Sequence, residues 1–271
     1  MPGLGTTGRR LPRRLGRHHA PRAAGHAGRL ARAGPAGRRA GRRRRHGRRG
    51  PPVPDVGTRQ PLTESELVSS SEHIVETPRG PARVRITGPA GPARAQLFLG
   101  HGAGGGVDAP DLVAVHDAAV AAGVRVLLVT QPYRVAGRRA PAPAGHLDEG
   151  WAAVVRAHGV PGIPLIVGGR SSGARVASRT AADLGAAGVL ALAFPLHPPG
   201  RPEKSRAAEL PAGIPTLVVN GDRDPFGVPG PGGAVEVVVR PGAVHDLRKD
   251  LPGTVAAVLG WLARHGWAAE F

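Results

Sequence analysis

Cysteine is absent from all 271 residues. That removes disulfides, thiolate nucleophiles and cysteine-ligated zinc or iron–sulfur centres from consideration, and it fits a reducing, cytoplasmic setting. No apolar run reaches the roughly 18 residues that a spanning helix needs, so no membrane segment is expected. The arginine-rich start leads into no apolar stretch, so a secretory signal is unsupported as well. Acidic residues are missing from residues 1–50, which hold 16 arginines, and the formal charge of +18 belongs largely to that segment. Setting those arginines aside leaves 21 Lys+Arg against 19 Asp+Glu, so the body of the chain is nearly neutral.

Residues 1–66 read as a leader of Arg, Gly, Pro, Ala and His with no sustained helix or strand period. Such a segment cannot bury enough apolar surface to offset the entropy of ordering, and it is expected to be disordered. As a nucleic-acid tail it lacks interleaved aromatics. As an organelle-targeting peptide it has almost no serine and no amphipathic pattern, and as a twin-arginine signal from Arg9-Arg10 it lacks an apolar region. Nucleic acid is therefore not the expected partner. The chain has only two lysines, Lys204 and Lys249, and Met1 is its only methionine. A start assigned too far upstream in GC-rich DNA would give this composition, with Val53, Val56 and Val68 as alternative starts.

Residues 67–271 are long enough for one sizeable core, and one domain is expected. "HIVETP" and "ARVRITG" alternate as opening strands, and "AQLFLG" is an apolar strand entering a glycine-rich loop. Strands follow at "VRVLLVT", "IPLIVGG", "GVLALAF", "PTLVVNG" and "AVEVVVR". Helical spacing marks "DLVAVHDAAVAAG", "HLDEGWAAVVRAHG", a segment reaching about Leu184, a short piece near Lys204 to Leu210, and "GTVAAVLGWLARHG". "QPYRVAGRRAPAPAG" reads as a loop. Strands alternating with helices, with apolar runs buried on both faces, predict an α/β fold with a mainly parallel sheet between helices.

"GGRSSGA" places Ser171 between Gly169 and Gly173, the G-x-S-x-G spacing of a strained strand-to-helix elbow. Ser172 lacks those flanks but follows the candidate nucleophile, so its N–H suits an oxyanion hole. In a chain with 42 glycines this spacing alone is a weak signal, and the strand before it and the helix after it give it weight. "LGHGAGGG" ends an earlier strand and can aim the N–H of Ala103 at the same oxygen. A serine hydroxyl needs a base, and the base needs an acid to orient it. His245 follows the last strand, while Asp222 and Asp224 both follow the strand before it. Asp224, followed by Pro225, is preferred, and Asp246 is expected to point elsewhere. His101 is expected to brace the oxyanion loop, and His116, His158 and His265 to pack or face solvent. No cluster has metal-ligand spacing, so no metal is expected.

These residues resemble the α/β-hydrolase superfamily over roughly residues 73–271. "GHGAGG", "QPYRVAGRRAP", "GGRSSGARVA", "GDRDPFG" and "AVHDL" are similar to a small lidless branch with dienelactone-hydrolase-like bacterial proteins and relatives of an α/β-hydrolase-like subunit of a chromatin acetyltransferase complex. The resemblance implies a three-layer α/β-hydrolase fold without a substantial cap domain. It implies Ser171, Asp224 and His245 as a catalytic triad with Ala103 and Ser172 as oxyanion donors, and no cofactor. Arg170, Arg175, Tyr133 and Arg134 match the branch's pattern as substrate-binding or bracing residues. The expected activity is that of a serine hydrolase on a small carboxylic ester or thioester. The alternative is a non-catalytic interaction protein built on the same fold.

Overall fold

The computed structural model of the protein describes residues 69–270. The expected leader and its three alternative starts lie outside the described residues. Eight strands are present: β1 (Ser70–Val75), β2 (Ala82–Thr87), β3 (Ala95–Gly100), β4 (Val124–Thr130), β5 (Leu165–Arg170), β6 (Gly188–Leu192), β7 (Thr216–Gly221) and β8 (Val235–Arg240). They form one sheet in the order β1-β2-β4-β3-β5-β6-β7-β8. The β1–β2 and β2–β4 pairs are antiparallel, and every other pair is parallel.

The central strands are mostly apolar because both their faces are covered. In β3, Leu97 and Leu99 face the side formed by α1 (Pro110–Ala121) and α5 (Leu251–Arg264), where they join Leu112, Val115 and Trp261. Phe98, between them, faces the other side, covered by α3 (Ala144–His158) and α4 (Ser172–Thr180), where it joins Trp151, Val154 and Val176. The Phe98 and Trp151 rings meet edge-on with centroids 6.4 Å apart. Period-two alternation thus divides one hydrophobic run between two cores, and each fully buried side chain of this size contributes roughly 2 kcal/mol. Three layers result.

Several elements differ from the sequence expectation. A one-turn helix, α2 (Pro132–Val135), occupies the expected loop. Pro132 starts it, the Gln131 carbonyl accepts from Arg134 and Val135, and buried Pro132 and Tyr133 anchor it. Helix α4 stops at Thr180, short of Leu184, where Gly185 at φ 65° turns the chain back. Only Ala207–Glu209 is helical, as a 3-10 turn, in the segment expected to be a short helix. There the Arg206 N–H is drawn to the Leu196 carbonyl at 2.7 Å. Helix α3 begins two residues early, at Ala144.

The parallel strands end along one edge. Strand β3 has β4 on one side and β5 on the other, so the chain leaves it in opposite directions and opens a crevice at the carboxyl ends. Between β6 and β7 the chain makes a loop with that single 3-10 turn, and no cap domain covers the crevice among the described residues. No helix among the described residues is long and apolar enough to cross a membrane.

Candidate active site

The sharpest bend joins β5 to α4. Ser171 sits there with φ 53° and ψ −110°, a conformation that costs a non-glycine residue about 1–3 kcal/mol. Its N–H donates to the Leu192 carbonyl of β6 at 2.9 Å, which holds the elbow to the sheet. A Cβ on Gly169 would lie 2.4 Å from the Gly100 carbonyl oxygen, and one on Gly173 would lie 2.3 Å from it. Both glycines are therefore required by the close approach of β3 to the elbow.

Ser171 Oγ lies 2.8 Å from His245 Nε2, and His245 Nδ1 lies 2.8 Å from Asp224 Oδ2. An ionised carboxylate only accepts, so Nδ1 carries the proton and Nε2 is left to accept from the serine hydroxyl. Asp224 is buried, and its Oδ1 accepts the Phe226 N–H at 2.9 Å. The Phe226 ring lies 4.3 Å from the imidazole, centroid to centroid. Asp222 is engaged elsewhere: its Oδ1 accepts the Gly242 N–H at 2.6 Å, tying the loop after β7 to the loop that bears His245. Asp246 turns to its own loop, accepting from the Arg248 N–H at 3.1 Å.

Ala103, Ser171 and Ser172 line one cavity of about 260 Å³. Ser172 is the first residue of α4, where backbone N–H groups have no intrahelical acceptor. The Ala103 carbonyl accepts from the Tyr133 hydroxyl at 2.8 Å, which fixes that peptide against α2. His101 is buried; its Nε2 accepts the Gln131 N–H at 3.1 Å and its Nδ1 donates to the Gly102 carbonyl at 2.8 Å. Burial pushes its pKa below the ordinary histidine value, against the backbone bond to Gly102, which matches a neutral ring.

Arg170 points away from that cavity. Its Nε lies 2.9 Å from Asp111 Oδ2, and its Nη2 donates to the His245 carbonyl at 3.2 Å. The Nε–Oδ2 contact is misaligned for a hydrogen bond, so this contact is chiefly Coulombic. Burial raises the Asp111 pKa, and the facing Arg170 charge opposes the rise. Arg134, on α2, donates to the Arg138 carbonyl just beyond that helix at 3.3 Å. Arg175 pairs with Glu209. His116 bonds Thr87 Oγ1 at 2.9 Å, His158 lies against His73, and His265 stacks on Trp267.

Several residues of the site carry no sequence signature. Asp111 gives no motif, and its pairing with Arg170 spans 59 positions. Asn220, fully buried, accepts from the Phe194 N–H at 2.8 Å and donates to the carbonyls of Phe194 and Gly227, joining the ends of β6 and the acid loop. Phe226 could have been suspected from its place two residues after Asp224. Arg206, which lines the cavity, lies in a segment read only for helical spacing.

The sequence matches the family described as "Alpha/beta hydrolase domain" over residues 93–234, more than half of the chain. The chain belongs to the α/β-hydrolase family, and its body has the small, lidless build expected from the sequence. Among solved structures it is similar to an α/β serine hydrolase without lid from Xanthomonas campestris, with 22% identity over 78% of this chain and 100% of that one and a TM-score of 0.59. It is also similar to a dienelactone hydrolase from Anabaena variabilis (19% identity, 74% and 96% covered, TM-score 0.55). A third similar structure is Est1E from Butyrivibrio proteoclasticus (15%, 71% and 99%, TM-score 0.55). At these identities the likeness shows the fold. Comparison with curated protein sequences gave no match.

Proposed function

We propose that the protein is a serine hydrolase that cleaves a small carboxylic ester or thioester through an acyl-enzyme. The observation that carries this reading is the unbroken chain of two 2.8 Å contacts from Ser171 through His245 to buried Asp224, on an elbow held in a strained conformation. In this reading Ser171 Oγ attacks the substrate carbonyl while its proton passes to His245 Nε2. The negative charge that develops on the carbonyl oxygen is met by the N–H groups of Ala103 and Ser172. His245 then protonates the departing alcohol or thiol, leaving the acyl group on Ser171. Water enters, gives its proton to His245, attacks the acyl carbon and releases the acid, and the proton returns to Ser171. Asp224 keeps the imidazole in the accepting tautomer and stabilises the imidazolium while it exists.

The test is intact mass after treatment with a fluorophosphonate, followed by an ester and thioester screen, for wild type and Ser171→Ala. One adduct per wild-type chain and none on Ser171→Ala, with turnover confined to the wild type, is the expected result. A folded wild type that neither labels nor turns over any ester would overturn the proposal and favour a non-catalytic interaction protein.

A further inference from the structure

The cavity holding Ser171 carries a cation that its surroundings leave uncompensated. Arg175, Arg179 and Arg206 line it together with Ser171, Ser172 and Phe226. Ser172, Arg175 and Arg179 are spaced by three and four residues on α4, so they share one helix face. Two of the arginines are committed to carboxylates. Arg175 grips Glu209 with Nε, at 2.7 Å, and with Nη2. Arg179 grips Asp148 at 2.9 and 2.6 Å and reaches Glu209 at 3.1 Å. Three guanidinium groups thus face two carboxylates, a net charge of +1.

Arg206 supplies the excess. Its Nη1 donates to the neutral Pro195 carbonyl at 3.1 Å, and among the described residues no carboxylate forms an ion pair with it. Burial lowers its hold on the proton, the nearby Arg175 charge adds to that effect, and Glu209 opposes it. A partly buried cation without a counter-ion is unfavourable, and an anion entering the cavity relieves it. The guanidinium plane offers paired donors that match carboxylate or phosphate oxygens. The positive end of α4, a nine-residue helix, opens at Ser172 on the same cavity. A volume of about 260 Å³ suits a short chain.

We propose that Arg206 selects a substrate whose short acyl chain ends in an anionic group, a carboxylate or a phosphate, so that the anion is held on Arg206 while the ester carbonyl meets Ser171. This rests on the hydrolase reading above and narrows its substrate class. The test compares kcat/KM for p-nitrophenyl hemiglutarate, p-nitrophenyl 4-phosphonooxybutanoate and neutral p-nitrophenyl pentanoate. The wild type is expected to favour one anionic ester over the neutral one by about tenfold or more, the range of a charge-assisted hydrogen bond. Which anionic ester is preferred separates carboxylate from phosphate.

Arg206→Gln keeps a donor for the Pro195 carbonyl and is expected to collapse the ratio towards one, with Arg206→Lys between. Arg201→Gln, an exposed change of equal charge on the same loop, is expected to leave the ratio within about twofold. Calorimetric binding of monomethyl glutarate and butyl phosphate to wild type and Arg206→Gln needs no turnover. A wild-type ratio near one, or a ratio and binding that survive Arg206→Gln in a variant melting like wild type, would overturn this inference while leaving neutral-ester hydrolysis standing. Arg206-dependent binding without hydrolysis of any ester would instead overturn the hydrolase reading alone.

Discussion

Replacing Arg170 by Met removes a charge from the interior while preserving most of the side-chain stem. Asp111 is 1% exposed, and Arg170 is the cation that opposes its desolvation. Breaking a buried pair by deleting one partner costs about 3–5 kcal/mol. Arg170 keeps some contact with solvent, which places the expected loss near the lower end, about 3 kcal/mol. For a domain of this size that lowers Tm by about 6–12 °C. The pH dependence follows from the Asp111 pKa, which burial raises and Arg170 holds down. A carboxyl with a raised folded-state pKa favours the fold below its unfolded pKa, and that contribution is lost as pH rises through the folded pKa. Without Arg170 the folded pKa rises further, so the deficit of Arg170→Met is greatest at neutral pH. It narrows as pH falls towards the ordinary aspartate range and Asp111 takes up a proton. Urea titrations and thermal melts of both proteins from pH 7.5 to 4.5 measure the gap. A variant that melts with wild type at neutral pH, or a gap that does not change with pH, would refute this account of the pair.

Asp224→Asn is expected to lower kcat by about 10⁴ through the wrong imidazole tautomer. Asp222→Asn, which can still accept the Gly242 N–H, is expected to retain activity within about tenfold, so ester kinetics of the two variants separate the aspartates. His101, whose pKa is held down by burial, makes the fold less stable as pH falls through the ordinary histidine value of about 6.5, because the unfolded chain then binds the extra proton. His158, lowered by burial and by the neighbouring His73 and Arg125 charges, adds to the same slope. Urea midpoints between pH 7.5 and 5 should show the loss, and His101→Gln should flatten it; an unchanged slope would show that His101 does not carry it.

The sequence by itself determined the layering. The consecutive apolar residues Leu97–Leu99 and Leu217–Val219, within β3 and β7, are stable only with both faces covered, and the helical spacing between the strands supplies the cover. It also determined where a sharp turn with a hydroxyl could stand, because Gly169 and Gly173 flank Ser171 at the spacing that lets a β3 carbonyl come close. Both are local properties, set by residues a few positions apart. The choice between Asp222 and Asp224 was already finer than local pattern resolves. The two differ in which way each carboxylate leaves its turn, towards Gly242 or towards His245. Helix α2 escaped because four residues are about one turn, too few to establish a period. Only the tertiary structure brought Asp111 to Arg170, Tyr133 to Ala103, Asn220 to the ends of two loops, and Arg206 into the Ser171 cavity without a carboxylate of its own. Those relations join residues tens of positions apart, and they depend on how strands and loops stack along one edge of the sheet, which no local periodicity encodes.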